Sequence, residues 1–202
     1  MAFTHRSLAA REAILAAARA RFTEQGYDRT TIRQVASDAD IDPSMVMRYY
    51  GNKEGLFAAA VDVDLRLPDL AALPRDEVAG VLANHFVTMW GSDRGGPLSI
   101  LLRSAVTREE AAERLRSVFS GQVVAMVRRL LGEGPETEAR AGLLSTQLLG
   151  IALTRYVLRL PPVVGMDDEQ VVAITTEFVD RILRGPLPPP GAGGQSRRSR
   201  MS

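Results

Sequence analysis

Residues 31–50 read TIRQVASDADIDPSMVMRYY and contain two short helical patterns joined by a tight turn. Thr31 and Gln34 have the spacing of a capping box, in which each side chain bonds the backbone amide of the other residue. Asp42 is a favourable N-cap residue, and Pro43 then occupies the first position of the following helix. The spacing therefore predicts a helix-turn-helix.

The two helices of this motif have an apolar side and an outward side. Helical spacing turns four side chains toward a preceding helix: Val35, Ala36, Ile41 and Val46. The side chains left outward are Arg33, Pro43, Ser44, Met47, Arg48 and Tyr49. The second helix of such a motif lies in the DNA major groove, where arginine bonds guanine and serine or methionine makes small contacts. The pattern predicts DNA binding, although two short helices alone are a generic signal.

A longer stretch around this motif, residues 11–57, reads REAILAAARARFTEQGYDRTTIRQVASDADIDPSMVMRYYGNKEGLF. It closely resembles the N-terminal domain of the TetR family, without a gap. The residues that carry the resemblance are Ile14, Leu15, Ala18, Phe22, Gly26, Tyr27, Thr30, Thr31, Val35, Ala36, Ile41, Tyr49, Tyr50 and 53–57. The resemblance implies a sequence-specific transcriptional regulator, which we expect to be a ligand-responsive repressor acting as a homodimer on a palindromic operator.

The resemblance also implies roles for individual residues. Arg33 stands where family members often contact a base from the second helix, and the third helix supplies the remaining base contacts. Lys53 is the only lysine among 25 basic residues, and its position at the start of the fourth helix commonly meets a phosphate, where helix amides and the dipole favour anions. Thr31 and Asn52, also at helix starts, can donate to the sugar-phosphate chain.

Met47 departs from the family pattern. Many members have a tyrosine there, whose hydroxyl holds a phosphate, and methionine has no such donor. Arg48 and Tyr49 are the candidates to supply the missing contact. The departure leaves an alternative open, namely a helical ligand-binding or interaction protein of the same fold with impaired DNA binding.

Turn residues and capping signals divide the whole chain into helices, so the predicted fold class is all-α. A helix-turn-helix DNA-binding domain is followed by a helical ligand-binding and dimerisation domain. The predicted helices outside the motif span about 7–25, 52–66, 75–90, 97–106, 107–131, 136–160 and 167–183, with capping boxes at 107–110 and 167–170. The predicted domains are 7–66 and 75–184, followed by a disordered Pro/Gly/Arg tail at 185–202.

The second predicted domain carries two further expectations. Apolar side chains with a few polar groups are typical of a pocket for a small apolar or amphipathic effector. The candidates for its lining are Phe86, Met89, Trp90, Leu101, Phe119, Met126 and Gln147. The last two long helices combine apolar residues with small ones at 142, 145, 150 and 152. Small residues permit close helix approach, which favours a four-helix interface between two copies of the chain.

Composition excludes several classes of site. The chain has no cysteine and only two histidines, which are far apart and have no carboxylates at metal spacing, so we expect neither a metal nor a cofactor. No catalytic constellation is present, which disfavours a small helical enzyme. No apolar run is long enough for a bilayer and no secretory signal opens the chain, so we expect no membrane partner and a cytoplasmic location. The net charge of +1 is uninformative about DNA. The operator, the effector, the regulated genes and the sign of regulation stay open.

Overall fold

The computed structural model describes residues 5–92 and 95–187. Within these ranges every regular element is helical, which confirms the all-α class. The helices are α1 His5–Arg29, α2 Ile32–Asp38, α3 Pro43–Tyr50, α4 Lys53–Ala60, α5 Val78–Gly91, α6 Gly95–Ser104, α7 Glu109–Val118, α8 Ala125–Leu131, α9 Pro135–Ala152, α10 Pro161–Val164 and α11 Asp168–Arg184. A 3₁₀ turn at Leu70–Ala72 precedes α5.

Helix α1 packs against α2 and α4 in the N-terminal region. Ile14, Ala18 and Phe22 lie on its fully buried side at helical spacing. Gly26 has a φ of 77°, a left-handed conformation that glycine adopts without strain, and it kinks the helix before its last turn. The kink brings Tyr27 into the core beside Phe22 and Phe57.

Helix α4 ends at Ala60, so the predicted helix over residues 52–66 is wrong in its second half. Val61 and Val63 are buried, whereas Asp62 and Asp64 are exposed. Buried and exposed residues alternate with a period of two, as in an extended chain. A helix has a period of about 3.6 residues, so these residues could not all lie on one buried face of a helix. The proline at 68 also disfavours a helix immediately before it. Residues 61–69 therefore form a connector without regular secondary structure, in which Arg66 has a φ of 46°.

Two long predicted helices are interrupted by wide turns. The predicted helix 107–131 consists of α7, a π-helical segment Phe119–Val124 and α8, and the predicted helix 136–160 consists of α9 with a π-helical end at Leu153–Val157. The capping box predicted at 107–110 is absent, because Arg108 is the N-cap residue and makes no side-chain cap bond. The box at Asp167 is confirmed by both of its hydrogen bonds with Gln170.

Two apolar cores hold the helices together. The first joins α1–α4 to α6 and to the C-terminal end of α5, with Ile14, Leu56 and Leu101 fully buried. The second lies at the far end of the bundle, where α5 packs along α11 and beside α8 and α9, around Leu144 and Val179. Because α1 packs directly on α6, the helix-turn-helix is attached to the larger bundle by side-chain contacts as well as by the connector.

Residues 185–187 follow α11 without regular structure, and residues 188–202 of the predicted tail lie outside the described residues. None of the helices in the described ranges has the length and apolar character that a bilayer span requires.

Candidate functional site

Helices α2 and α3 form the predicted helix-turn-helix, and both of its predicted caps are present. The Gln34 amide donates to Thr31 Oγ1 at 3.2 Å, and the Thr31 amide donates to Gln34 Oε1 at 2.9 Å. The Ser44 amide donates to Asp42 Oδ1 at 2.7 Å, and Pro43 occupies the first turn of α3. Hydrogen bonds from the Ser44 hydroxyl and amide lower the pKa of the Asp42 carboxyl. These caps fix where each helix begins.

The turn between the two helices is fixed by its backbone. Asp40 adopts a φ of 52°, in the left-handed region that aspartate tolerates better than most residues. The Ile41 amide then donates to the Ala36 carbonyl oxygen at 2.9 Å, which closes the turn onto the end of α2. Val35, Ala36 and Val46 are fully buried beneath it, as predicted.

The nine predicted DNA contacts fall into two groups by exposure. The exposed ones are Thr31, Arg33, Pro43, Ser44, Met47, Arg48 and Asn52. Tyr49 and Lys53 are half-buried. Thr31 and Asn52 already use a side-chain oxygen as a helix cap, with Asn52 Oδ1 accepting from the Gly55 amide at 2.8 Å. The Thr31 hydroxyl also donates to Gln34 Oε1 at 3.0 Å, so the Asn52 side-chain amide nitrogen is the group that these bonds do not use.

Tyr49 is held against α1. The guanidinium carbon of Arg11 lies 5.3 Å from the Tyr49 ring centroid and 5.9 Å from that of Tyr50, within the range of cation–π contacts. The Tyr50 hydroxyl donates to the Arg11 carbonyl oxygen at 3.3 Å, and burial raises the pKa of Tyr50. Arg11 thus places a positive charge beside the end of α3, a contact that the sequence did not reveal.

The Lys53 side chain contacts residues at the end of α1. Its Nζ donates to the Asp28 carbonyl oxygen at 3.1 Å and lies 4.2 Å from the Tyr27 ring centroid. Both contacts hold the ammonium at the start of α4 without pairing it to a carboxylate. An ammonium has three donors, so the Asp28 bond leaves two that can meet another acceptor.

Tyr27 connects this lysine to the larger bundle. The guanidinium carbon of Arg108, at the N-cap of α7, lies 3.6 Å from the Tyr27 ring centroid. The Tyr27 hydroxyl donates to Glu54 Oε1 at 2.7 Å. Burial, followed by the bond to Glu54, raises the pKa of Tyr27 to about 12, and the same bond lowers the pKa of Glu54. Arg108 was missed by sequence reasoning, because no motif relates residues so far apart along the chain.

A second site is a cavity of about 340 Å³ inside the larger bundle. Side chains from α5–α9 and from the connector surround it. Five of the seven predicted lining residues surround it: Phe86, Met89, Trp90, Phe119 and Met126. Leu101 is instead fully buried in the core and Gln147 is exposed, so neither belongs to the lining.

The lining of this cavity is almost entirely apolar. Its polar groups are His85, Arg116, Ser145 and Thr146. Three of these are already engaged. Arg116 pairs with Glu109 at 2.6 Å, the Thr146 hydroxyl donates to a backbone carbonyl, and His85 Nε2 lies 2.8 Å from the Leu65 carbonyl oxygen. A cavity of this composition favours an apolar molecule with few polar groups. Across the described residues, no group of three His, Asp or Glu side chains could hold a metal ion.

A third surface is formed by the last two long helices and the chain that follows α9. Large apolar side chains are exposed there at Leu143, Leu153, Leu158, Leu160, Ile174 and Phe178. Of the four small residues that predicted close helix approach, Gly150 is exposed, whereas Gly142, Ser145 and Ala152 line the cavity. Exposed apolar residues grouped on neighbouring helices are typical of protein–protein contact surfaces.

Comparison with known proteins agrees with both halves of this arrangement. A family profile described as "Bacterial regulatory proteins, tetR family" matches residues 14–60. A second profile, described as "Tetracyclin repressor-like, C-terminal domain", matches residues 76–183, which is more than half of the chain. No curated protein sequence matches the chain significantly.

Solved structures of the same fold cover most of the chain. A TetR-family regulator from Streptomyces coelicolor A3 is 26% identical, with a TM-score of 0.60 over 91% of this chain and 99% of its own. NalD, described as the secondary repressor of a multidrug efflux pump in Pseudomonas aeruginosa, is 22% identical, with a TM-score of 0.68 over 89% and 97%. A SmeT–triclosan complex is 22% identical, with a TM-score of 0.66 over 91% and 100%. The chain therefore belongs to the TetR family of bacterial transcriptional regulators, with an N-terminal helix-turn-helix for DNA binding.

Proposed function

We propose that the protein is a sequence-specific repressor that binds a palindromic operator as a homodimer and is released by a small apolar or amphipathic effector. The observation that carries the proposal is the exposed outward side of α3. Ser44, Met47 and Arg48 are exposed there, while Val46 on the opposite side is fully buried. Such a helix can enter the major groove while its apolar side stays packed in the core of the domain.

Base and phosphate contacts are assigned to different residues. Arg33 projects from the first turn of α2 and is exposed, which suits a bidentate contact to guanine. Lys53 stands at the first turn of α4, where helix amides and the dipole attract a phosphate. Its bond to the Asp28 carbonyl oxygen holds the ammonium in place and leaves donors for the phosphate.

The exposed apolar side chains of α9 and α11 support a homodimer. Leu143, Ile174 and Phe178 would otherwise remain in contact with water, and a second copy of the same surface would cover them. The dimer would set the distance between two recognition helices at ~34–36 Å or a multiple of it, the spacing of successive major-groove faces. In this proposal residues 7–66 form the DNA-binding domain and residues 75–184 form the dimerising domain.

The apolar cavity supports an effector of matching chemistry. Its volume of about 340 Å³ suits a small molecule, and its lining offers little to compensate a buried charge. One of the similar structures is described as a complex with triclosan. An effector that binds better to a state with wrongly spaced recognition helices weakens operator binding by its differential affinity for the two states.

A second candidate is a protein of the same fold with impaired DNA binding. It is favoured by Met47, which is 45% exposed and has no donor for a phosphate. A gel-shift titration with the promoter region of the protein's own gene separates the two. The repressor proposal predicts a shifted complex that unlabelled promoter displaces and unrelated DNA of equal length does not. Equal displacement by both DNAs would favour the second candidate.

A further inference from the structure

The connector, residues 61–69, also forms part of the wall of the effector cavity. Leu65 and Leu67 line the cavity, while Val61 and Val63 are buried in the core that α4 shares with α1. One short stretch therefore touches both the space available to an effector and the helix that carries Lys53.

The backbone of this connector is bonded by two side chains of the cavity helices. The Leu65 amide donates to Gln122 Oε1 at 2.8 Å, and Gln122 Nε2 donates to the Val63 carbonyl oxygen at 2.9 Å. His85 Nε2 lies 2.8 Å from the Leu65 carbonyl oxygen, and since that oxygen can only accept, the nitrogen carries the proton. Gln122 thus bonds an extended chain as a neighbouring strand would. We call Gln122 and His85 the connector brace.

The position of Gln122 depends on an irregular helix. It lies in the π-helical segment Phe119–Val124, whose Phe119 and Val123 line the cavity. Such wide turns are rare and occur frequently at functional sites. His85 itself belongs to the lining. Both members of the brace therefore stand on helices that an occupant of the cavity would contact.

We propose that the connector brace is the element through which cavity occupancy reaches the DNA-binding helices, an inference that rests on the proposed function. An apolar occupant that displaces the Leu65 side chain together with its backbone pulls on the Leu65 amide and carbonyl, which are both held by the brace. The three bonds are then lost together, and the connector moves away from the pocket with the end of α4. An empty cavity keeps the brace intact and holds α4 in its DNA-binding position.

Amide hydrogen exchange at Leu65, measured without DNA, tests the brace directly. Gln122→Ala removes the acceptor of the Leu65 amide and should accelerate its exchange about tenfold, as expected for one net hydrogen bond. Ser120→Ala is the matched control, since Ser120 is exposed on the same segment and bonds only Ser117. Its exchange at Leu65 should equal that of the unmodified protein. His85→Phe keeps a ring in the lining, deletes the third bond and should accelerate exchange in the same direction.

The uncharged fluorophore N-phenyl-1-naphthylamine is the probe for occupancy. Its binding should accelerate Leu65 exchange in the unmodified protein and in Ser120→Ala, and should add nothing further in Gln122→Ala. The inference is overturned if Gln122→Ala exchanges at the unmodified rate. It is equally overturned if the probe fails to bind, or binds without accelerating Leu65. The proposed function is tested separately, by the gel-shift titration with promoter DNA. A protein that shifts no promoter DNA would contradict the proposed function and would leave the exchange result at Leu65 unaffected.

Discussion

Replacing Lys53 with alanine tests the assignment of a phosphate contact. Each phosphate neutralised by a protein cation contributes about 0.9 to the slope of log affinity against log salt concentration. A homodimer has two copies of Lys53, so the slope should become shallower by about 1.8 in total. Because a phosphate carries no sequence information, affinity for specific and non-specific DNA should fall in similar proportion.

The structure also gives the cost of this change to folding. Lys53→Ala removes a hydrogen bond to the Asp28 carbonyl oxygen and a cation–π contact with Tyr27. A cation–π contact at an exposed site is worth about 0.5–1 kcal/mol, and Arg108 still covers the Tyr27 ring. The variant should therefore remain folded at assay temperature, so that any loss of DNA affinity reports on DNA contact.

Fluorescence anisotropy with labelled duplexes at several salt concentrations measures the slope. Lys53→Arg keeps the charge and should keep most of the slope. Arg128→Ala removes the same charge from an exposed surface pair with Glu138 in α9, and should leave the slope unchanged. A Lys53→Ala protein with the original slope would refute the phosphate assignment, and an equal loss in Arg128→Ala would show that net charge alone is responsible.

Three further changes test other parts of the structure. Gly150→Arg should yield a monomer by light scattering, because it places a bulky charge in the proposed interface. The monomer should stay folded, because a Cβ at this exposed glycine meets no atom of a packed neighbour within 4 Å. A chain ending at Leu187 should keep its Tm, because it retains the Gly185 carbonyl that accepts from Arg140 at 2.9 Å and loses only a Pro/Gly-rich tail. The folded protein raises the pKa of Tyr27 from 10.0 to about 12, so stability from this group is complete below pH 10 and is lost as the pH rises toward 12.

Each of these expectations has its own control. Gly91→Arg places the same charge on an exposed glycine at the end of α5 and should remain dimeric. A monomer formed by the unmodified protein at micromolar concentration would contradict the proposed interface. A large drop in Tm on shortening the chain to Leu187 would show that the tail contributes to folding. Tyr27→Phe should flatten the alkaline part of the stability curve, and an unchanged curve would count against the raised pKa.

The helix-turn-helix could be predicted from sequence because its signals are local. Thr31 and Asp42 accept hydrogen bonds from backbone amides no more than three residues away. The spacing of these polar side chains therefore predicts where α2 and α3 begin. The inward side of the motif follows from helical periodicity in the same way. Val35 and Val46 are fully buried as that periodicity requires.

The features that sequence reasoning missed are decided by distant contacts. The sequence places the end of α4 too late, because the valines at 61 and 63 fit either a helix or an extended chain when the partners of that chain are unknown. Those partners are Gln122 and His85, on other helices. The contact of Arg108 with Tyr27 is of the same kind. Residue type alone assigns Leu101 and Gln147 to the cavity, whereas the burial of each side chain depends on the rotation of its helix, which tertiary packing sets.

The most direct test of the account is selection of genomic DNA fragments by the purified protein, repeated with Arg33→Ala. We expect an enriched inverted repeat whose half-sites are separated by one helical turn or a multiple of it. Arg33→Ala should cost ~1–3 kcal/mol on that operator and lose preference at one base pair in each half-site, with non-specific binding little changed. Recovery of fragments with no shared motif would contradict sequence-specific recognition by the helix-turn-helix. A uniform loss of affinity of Arg33→Ala for all DNA sequences would contradict it as well.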